Sequence, residues 1–207
     1  MDLFWDFDGT LFDTYPIMVK SFEQALQLNG VRSSKATELY RAMRQGSLGK
    51  TLEKYASENQ LDLQGLKKDY SNYESQLLDQ AKPFVGALAA CHENISKHGR
   101  NFLLTHRDDQ AKKLLKVHGF EHLFTGFITG SDHFARKPDP ASLNYLLQKY
   151  KVDKKNAIMI GDRNLDILAA HNAGIKGFLF DPDNTISVTS FPEKQIKSLN
   201  ELSLLFK

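Results

Sequence analysis

The stretch Trp5-Asp6-Phe7-Asp8-Gly9-Thr10 combines two acids, a glycine and a hydroxyl, and it directly follows the apolar residues 3 and 4. The apolar residues predict a buried strand over residues 2–7. Side chains two apart on a strand point to the same face, so Asp6 and Asp8 would present their carboxylates together. If the strand ends there, both acids lie at its carboxyl end.

The composition narrows the class of protein. A chain of 207 residues can hold one large domain or a core with a smaller insertion. With 41% hydrophobic and 25% charged residues, it is typical of a soluble globular protein. The net charge of +2, without a basic block, argues against a nucleic-acid partner. The lone Cys91 excludes an intramolecular disulfide and fits a reducing compartment. Because neither a signal peptide nor a membrane-length apolar run is visible, we expect a cytoplasmic protein with no membrane partner.

The region after the first strand has a helical pattern, and no strand pattern appears between residues 14 and 80. Helical segments are predicted over residues 16–28, from Ser33 or Ser34 to about Arg44, and near residues 48–58 and 63–79. Residues 14–81 are therefore predicted to form a small all-helical domain.

From residue 82 onward, strand and helix patterns alternate, which favours a parallel sheet with helices on both faces. Strands are predicted near residues 101–105, 124–128, 157–160 and 176–180. Residues 181–195 are predicted to be irregular, and residues 199–205 a final helix. The predicted fold class is α/β: a doubly wound, Rossmann-like parallel sheet core of residues 1–13 and 82–207 with the helical domain inserted.

Polar side chains recur where the predicted strands end. In open α/β sheets, ligands bind outside the carboxyl ends of the strands. The candidates at these positions are Asp6, Asp8, Thr105 with His106, Lys137, Asp162 and Asp166. Acids, a hydroxyl and a lysine at matching places on one sheet predict a single site.

These residue types suit phosphoryl transfer. Magnesium prefers oxygen ligands, which Asp6, Asp162 and the backbone carbonyl of Asp8 would supply. The negative charge of a phosphoryl group between that metal and Lys137 would be neutralised from two sides. Thr105 would donate a hydrogen bond to the same group. Asp6 could then attack phosphorus and form an aspartyl-phosphate, while Asp8 serves as acid and base.

Two further residues complete the candidate site. His106 adds positive potential beside Thr105 and is included with it and Lys137 as a candidate phosphate-binding residue. Asp166 either ligates the metal, orients Lys137 or a ligand, or only caps a helix.

The order of these motifs resembles the haloacid dehalogenase superfamily. The motifs that carry the resemblance are Asp6-Phe7-Asp8-Gly9-Thr10, Thr105, Lys137-Pro138 and Gly161-Asp162-Arg163-Asn164-Leu165-Asp166. The closest match is the phosphoglycolate-phosphatase-like and β-phosphoglucomutase-like branch, whose α-helical cap the inserted domain resembles. The resemblance implies a mobile cap, Mg²⁺ dependence and a phosphoric-monoester hydrolase acting on a small phosphorylated metabolite.

Three positions of the sequence help to choose among the activities found in this family. Asp8 favours phosphoryl chemistry, because the dehalogenase branch proper lacks this second aspartate. Met18 stands where the sugar-phosphomutase branch usually carries a histidine, which favours a phosphatase. Arg163 replaces a common Ser or Thr, and it either holds a carboxylate or faces solvent. A phosphomutase and a non-enzymatic regulator remain the alternatives, as do a monomer and a homodimer.

The predicted cap contains a stretch that resembles a nucleotide-binding P-loop. Residues 46–51 read Gly-Ser-Leu-Gly-Lys-Thr, but Arg44 stands where the first glycine is required and the preceding pattern is helical. We therefore expect a cap loop in which Arg44 and Lys50 contact the substrate.

Overall fold

The computed structural model describes residues 1–31 and 35–206, and it divides into two compact units. One unit comprises Met1–Phe12 and Pro83–Lys207, and the other comprises Asp13–Lys82. The predicted domain boundaries lie one residue from each of these divisions. The predicted helix caps Ser33 and Ser34 lie outside the described residues.

Strands and helices alternate through the larger unit, and helices fill the smaller one. Strands β1 to β8 cover Asp2–Trp5, Phe12–Asp13, Lys82–Pro83, Arg100–Leu104, Gly126–Ile128, Ala157–Gly161, Lys176–Phe180 and Lys194–Ile196. Helices α1 to α8 cover Tyr15–Leu28, Ala36–Gln45, Leu48–Glu58, Leu63–Leu77, Ala87–Ser96, Gln110–Val117, Ala141–Lys149 and Asn164–Ala173. Short 3-10 helices cover Leu78–Gln80, Glu121–Leu123, Gly130–Asp132, Lys154–Asn156 and Leu199–Phe206.

The larger unit is built on a six-stranded sheet in the order β5-β4-β1-β6-β7-β8, in which every adjacent pair is parallel. On one face, Phe4 and Phe102 stack with their ring centroids 4.8 Å apart, within a cluster completed by α7 and α8. On the other face, Asn101 Nδ2 donates to the carbonyl of Cys91 in α5. Helices therefore cover both faces, and the predicted doubly wound α/β fold is confirmed.

The end of the chain differs from the prediction in two places. Residues 194–196 form β8, which pairs with β7, although residues 181–195 were expected to be irregular. An edge strand of three residues with one apolar side chain carries too short a pattern to be recognised. The expected final helix is the 3-10 helix Leu199–Phe206.

The smaller unit contains α1 to α4 around a core of its own. Phe22 is fully buried at the centre, and its ring makes edge contacts with the rings of Tyr55 and Tyr70. Leu26, Leu39 and other apolar side chains complete this cluster. Among the helices in residues 1–31 and 35–206, none combines the length and the hydrophobicity of a membrane-spanning segment.

Candidate active site

Three neighbouring strands of the sheet end in polar residues. Because β1 lies between β4 and β6, Asp6, Thr105 and Asp162 leave the sheet side by side. The hydrogen-bond ladder continues past the strands, since Asp6 N–H donates to the Ile160 carbonyl at 2.9 Å. The sheet thus fixes the backbone on which the candidate site is built.

The ammonium group of Lys137 connects the acids of the site. Its Nζ lies 2.6 Å from Asp6 Oδ1 and 2.5 Å from Asp166 Oδ1, and it donates to the Leu104 carbonyl at 3.2 Å. The Lys137 side chain is only 1% exposed. A buried lysine needs such partners because an uncompensated charge in the interior is costly.

Burial and charge act against each other at these three groups. Burial raises the pKa of Asp6 to about 7, because Lys137 offsets only part of the desolvation cost. Burial opposes ionisation of Asp166 as well, but Lys137, Arg163 and a backbone N–H outweigh it and lower the pKa of this carboxyl. The two carboxylates likewise outweigh burial at Lys137 and raise its pKa.

The acids also form a cluster that could hold a metal ion. Asp6, Asp162 and Asp166 each place one carboxylate oxygen within 4.8 Å of the others. Asp6 Oδ2 is buried and accepts no hydrogen bond from any residue that the structure describes. Buried carboxylate oxygens are hard donors of the kind that Mg²⁺ or Ca²⁺ prefers. The donor set therefore fits a hard divalent cation.

Asp166 is held in this cluster by its position on α8. Its Oδ2 accepts the N–H of Arg163 at 3.1 Å, at the start of the helix, while its other oxygen faces Lys137. The carboxylate approaches β6 so closely that a Cβ on Gly161 would collide with the side chain of Asp166. Glycine at position 161 is thus required for the close approach of the acid.

Arg163 lies against the same cluster. Its Nε is 3.8 Å from Asp162 Oδ1 and 4.0 Å from Asp166 Oδ2, and its side chain is 15% exposed. Of the two roles left open by the sequence, the contact with carboxylates is the one observed. A fixed cation here compensates part of the acidic charge.

Asp8 makes a separate ion pair that the sequence did not predict. Both Nε and Nη2 of Arg107 lie 2.8 Å from Asp8 Oδ1. Both side chains are largely buried, so a short charge-assisted hydrogen bond replaces part of their solvation by water. The predicted metal contact of Asp8 through its backbone carbonyl stays a prediction.

The residues after β4 bring the phosphate-binding candidates together. Thr105 Oγ1 accepts the Arg107 N–H at 3.0 Å, so its hydroxyl hydrogen is left to donate elsewhere. His106 Nε2 accepts the backbone N–H of Lys137 at 3.1 Å. Burial, followed by the charges of Lys137, Arg136 and Arg163, lowers the pKa of His106 to about 3. His106 is therefore neutral, and one of its ring nitrogens is engaged by the lysine loop.

The two substrate candidates of the helical unit differ in their surroundings. Arg44 Nη1 donates to the Tyr40 hydroxyl at 3.1 Å, and the guanidinium lies 5.8 Å from the ring centroids of Tyr15 and Tyr40. Lys50 is exposed in the first turn of α3, where its N–H donates to Ser47 Oγ. The stretch that resembles a P-loop is thus the start of a helix.

The comparison with known families covers most of the chain. Residues 3–189 match the model of the haloacid dehalogenase-like hydrolases. The chain belongs to this family. The prediction of family membership is confirmed, and so is the prediction of a hydrolase.

The chain is similar to several known proteins along most of their length. The chain is 27% identical over 187 residues to the phosphoglycolate phosphatase of Vibrio cholerae, covering 84% of this chain and 81% of the relative. It is 32% identical to the solved structure of a hydrolase from Streptococcus pneumoniae, covering 87% and 92% of the two chains with a TM-score of 0.65. A predicted phosphoglycolate phosphatase from Haemophilus somnus shares the fold, with a TM-score of 0.85, 18% identity, and coverage of 99% and 97%.

Proposed function

We propose that this chain is a magnesium-dependent phosphatase that hydrolyses a small phosphorylated metabolite through an aspartyl-phosphate on Asp6. The observation that supports it best is the contact of Lys137 Nζ with both Asp6 and Asp166, beside Asp162. The Asp6 carboxylate thus lies between a lysine and a candidate site for a hard cation. Two positive charges at this point would stabilise the negative charge of a phosphoryl group during its transfer. The relatives named as phosphoglycolate phosphatases support the same class of reaction.

The proposed reaction has two displacements at phosphorus. A carboxylate oxygen of Asp6 forms a bond to phosphorus as the bond from phosphorus to the substrate oxygen breaks. The departing alkoxide takes a proton from Oδ2 of a protonated Asp8, whose Oδ1 keeps its contact with Arg107. Water then attacks phosphorus, Asp8 takes a proton from that water, and the bond to Asp6 breaks to release phosphate. Acid and base assistance of this kind contributes about 10²–10⁴ in rate.

Other side chains would stabilise the transferred group. The buried ammonium of Lys137 neutralises phosphoryl charge, and the hydroxyl of Thr105 donates a hydrogen bond. Asp6 and Asp162 would hold the magnesium ion, together with the Asp8 carbonyl. When bound, the ion would supply charge neutralisation at the phosphoryl oxygens.

A screen of phosphate esters with magnesium, and with EDTA as the control, tests the proposal. We expect turnover of an aryl phosphate and of small phosphorylated acids such as phosphoglycolate, and loss of turnover in EDTA. Asp6→Asn should abolish turnover, Asp8→Asn should lose most of it, and the exposed Asp79→Asn should change it little. Inertness across the panel with magnesium would favour a regulator, and isomerisation of a hexose 1-phosphate without phosphate release would favour a phosphomutase.

A further inference from the structure

The hydrogen bond between His106 and Lys137 links two parts of the site that are far apart in the sequence. His106 follows β4 and is the neighbour of Thr105, whereas Lys137 lies in the loop between residues 132 and 141. The backbone N–H of Lys137 donates to His106 Nε2 at 3.1 Å. The histidine thus contacts the lysine's backbone, while the lysine's ammonium reaches Asp6.

The loop that carries Lys137 is held to the rest of the core by contacts of this kind. Residues 133–140 form neither helix nor strand. Their backbone is tethered by His106 at Lys137 N–H and by Asn172, whose Nδ2 donates to the Pro138 carbonyl at 2.9 Å. Side chains around the loop leave a cavity of about 20 Å³, which is close to the room that one water molecule needs. Two hydrogen bonds from outside the loop therefore hold its backbone, one at Lys137 and one at Pro138.

The ring of His106 has the chemical state that this contact needs. A nitrogen that accepts a hydrogen bond carries no proton, so Nε2 is the bare nitrogen and Nδ1 carries the hydrogen. The pKa of about 3 for His106 agrees with a neutral ring at every pH where a phosphatase would be assayed. A neutral imidazole has no charge with which to attract a phosphate dianion.

We propose that His106 is a positioning residue for Lys137. Its hydrogen bond to the Lys137 backbone holds the loop where Nζ can contact Asp6, Asp166 and the Leu104 carbonyl. This inference rests on the proposed phosphatase function, and it gives His106 a role other than direct contact with phosphate. An error of about 1 Å in the position of such a group can cost about 100-fold in rate. The histidine thus acts through the lysine.

Three substitutions at one position separate the possible roles. In His106→Gln, the side-chain oxygen can take the place of Nε2 and accept the Lys137 N–H. In His106→Asn, the side-chain oxygen takes the place of Nδ1 and is too far away to accept the Lys137 N–H. In His106→Leu, no acceptor remains. We expect kcat for an aryl phosphate with magnesium to stay within a few-fold in the Gln variant and to fall roughly 10- to 100-fold in the Asn and Leu variants.

A second measurement reads the contact without turnover. In ¹H–¹⁵N spectra, the Lys137 amide should keep its slow solvent exchange in His106→Gln and lose it in the Asn and Leu variants. If Asp6→Asn and the wild type are equally inactive, the proposed function fails, but the amide still reports on His106. An unchanged Lys137 amide in His106→Leu overturns the inference. Equal kcat in the Gln and Leu variants, or fast exchange of the Lys137 amide in His106→Leu with unchanged kcat, overturns it too.

Discussion

Replacing Lys137 by methionine tests the charge balance of the site. The substitution keeps most of the side-chain length but removes the charge that faces Asp6 and Asp166. Both carboxylates are buried, so neither can recover its solvation from water. Removing one partner of a buried ion pair typically costs about 3–5 kcal/mol. We therefore expect the metal-free Lys137→Met variant to lose about that much of its free energy of unfolding.

Urea denaturation in EDTA at pH 8 measures this loss. With an m-value of about 2–3 kcal/mol/M, the midpoint of the core transition should fall by roughly 1–2.5 M. Lys112→Met is the matched control, because Lys112 Nζ pairs with Asp109 at 2.8 Å on an exposed surface. That control should move the midpoint far less, since exposed ion pairs contribute little.

The pH dependence of the same loss provides a second check. Without Lys137, burial raises the folded-state pKa of both Asp6 and Asp166 above their unfolded values. The folded variant then binds more protons than the unfolded chain, so it gains stability as pH falls. The deficit relative to the wild type should therefore be smaller at pH 5 than at pH 8. A midpoint shift no larger than that of Lys112→Met, or a deficit that grows at pH 5, would refute the reasoning.

Three further predictions follow from the same geometry. In EDTA, the raised pKa of Asp6 makes the wild type lose stability as pH rises from about 4 to about 7, whereas Asp6→Asn should lack this component in thermal melting. Gly161→Ala should destabilise the fold by about 1–3 kcal/mol in urea denaturation, because the new Cβ would collide with Asp166. Arg107→Met should lower kcat roughly 10- to 100-fold by releasing Asp8, with the same far-ultraviolet spectrum as the wild type; an unchanged kcat would show that the pair is dispensable.

The sequence predicted the positions of the site better than its contacts. Asp6, Thr105 and Asp162 could be placed because short apolar runs locate strands, and parallel strands end at the same edge of a sheet. Two contacts could not be predicted: the ion pair of Arg107 with Asp8 and the hydrogen bond of His106 with Lys137. The direction of a side chain and the path of a loop leave no periodic pattern in a sequence. Both pairs begin in the residues after Thr105, where the only sequence signal was positive potential.

The helical unit shows the same limit. Its helices were predictable from their apolar stripes, but the surroundings of Arg44 were not. The aromatic rings of Tyr15 and Tyr40 beside its guanidinium come from two different helices. Contact of Arg44 and Lys50 with a substrate stays a prediction.

The central claim is that Asp6 carries the phosphoryl group, and covalent trapping tests it most directly. The enzyme is mixed with an aryl phosphate and magnesium, quenched in acid within milliseconds, digested and analysed by mass spectrometry. We expect one added phosphoryl group on the peptide that contains Asp6, absent in Asp6→Asn and in EDTA. Turnover by the Asp6→Asn variant, or a phosphoryl group on another residue, would contradict the account.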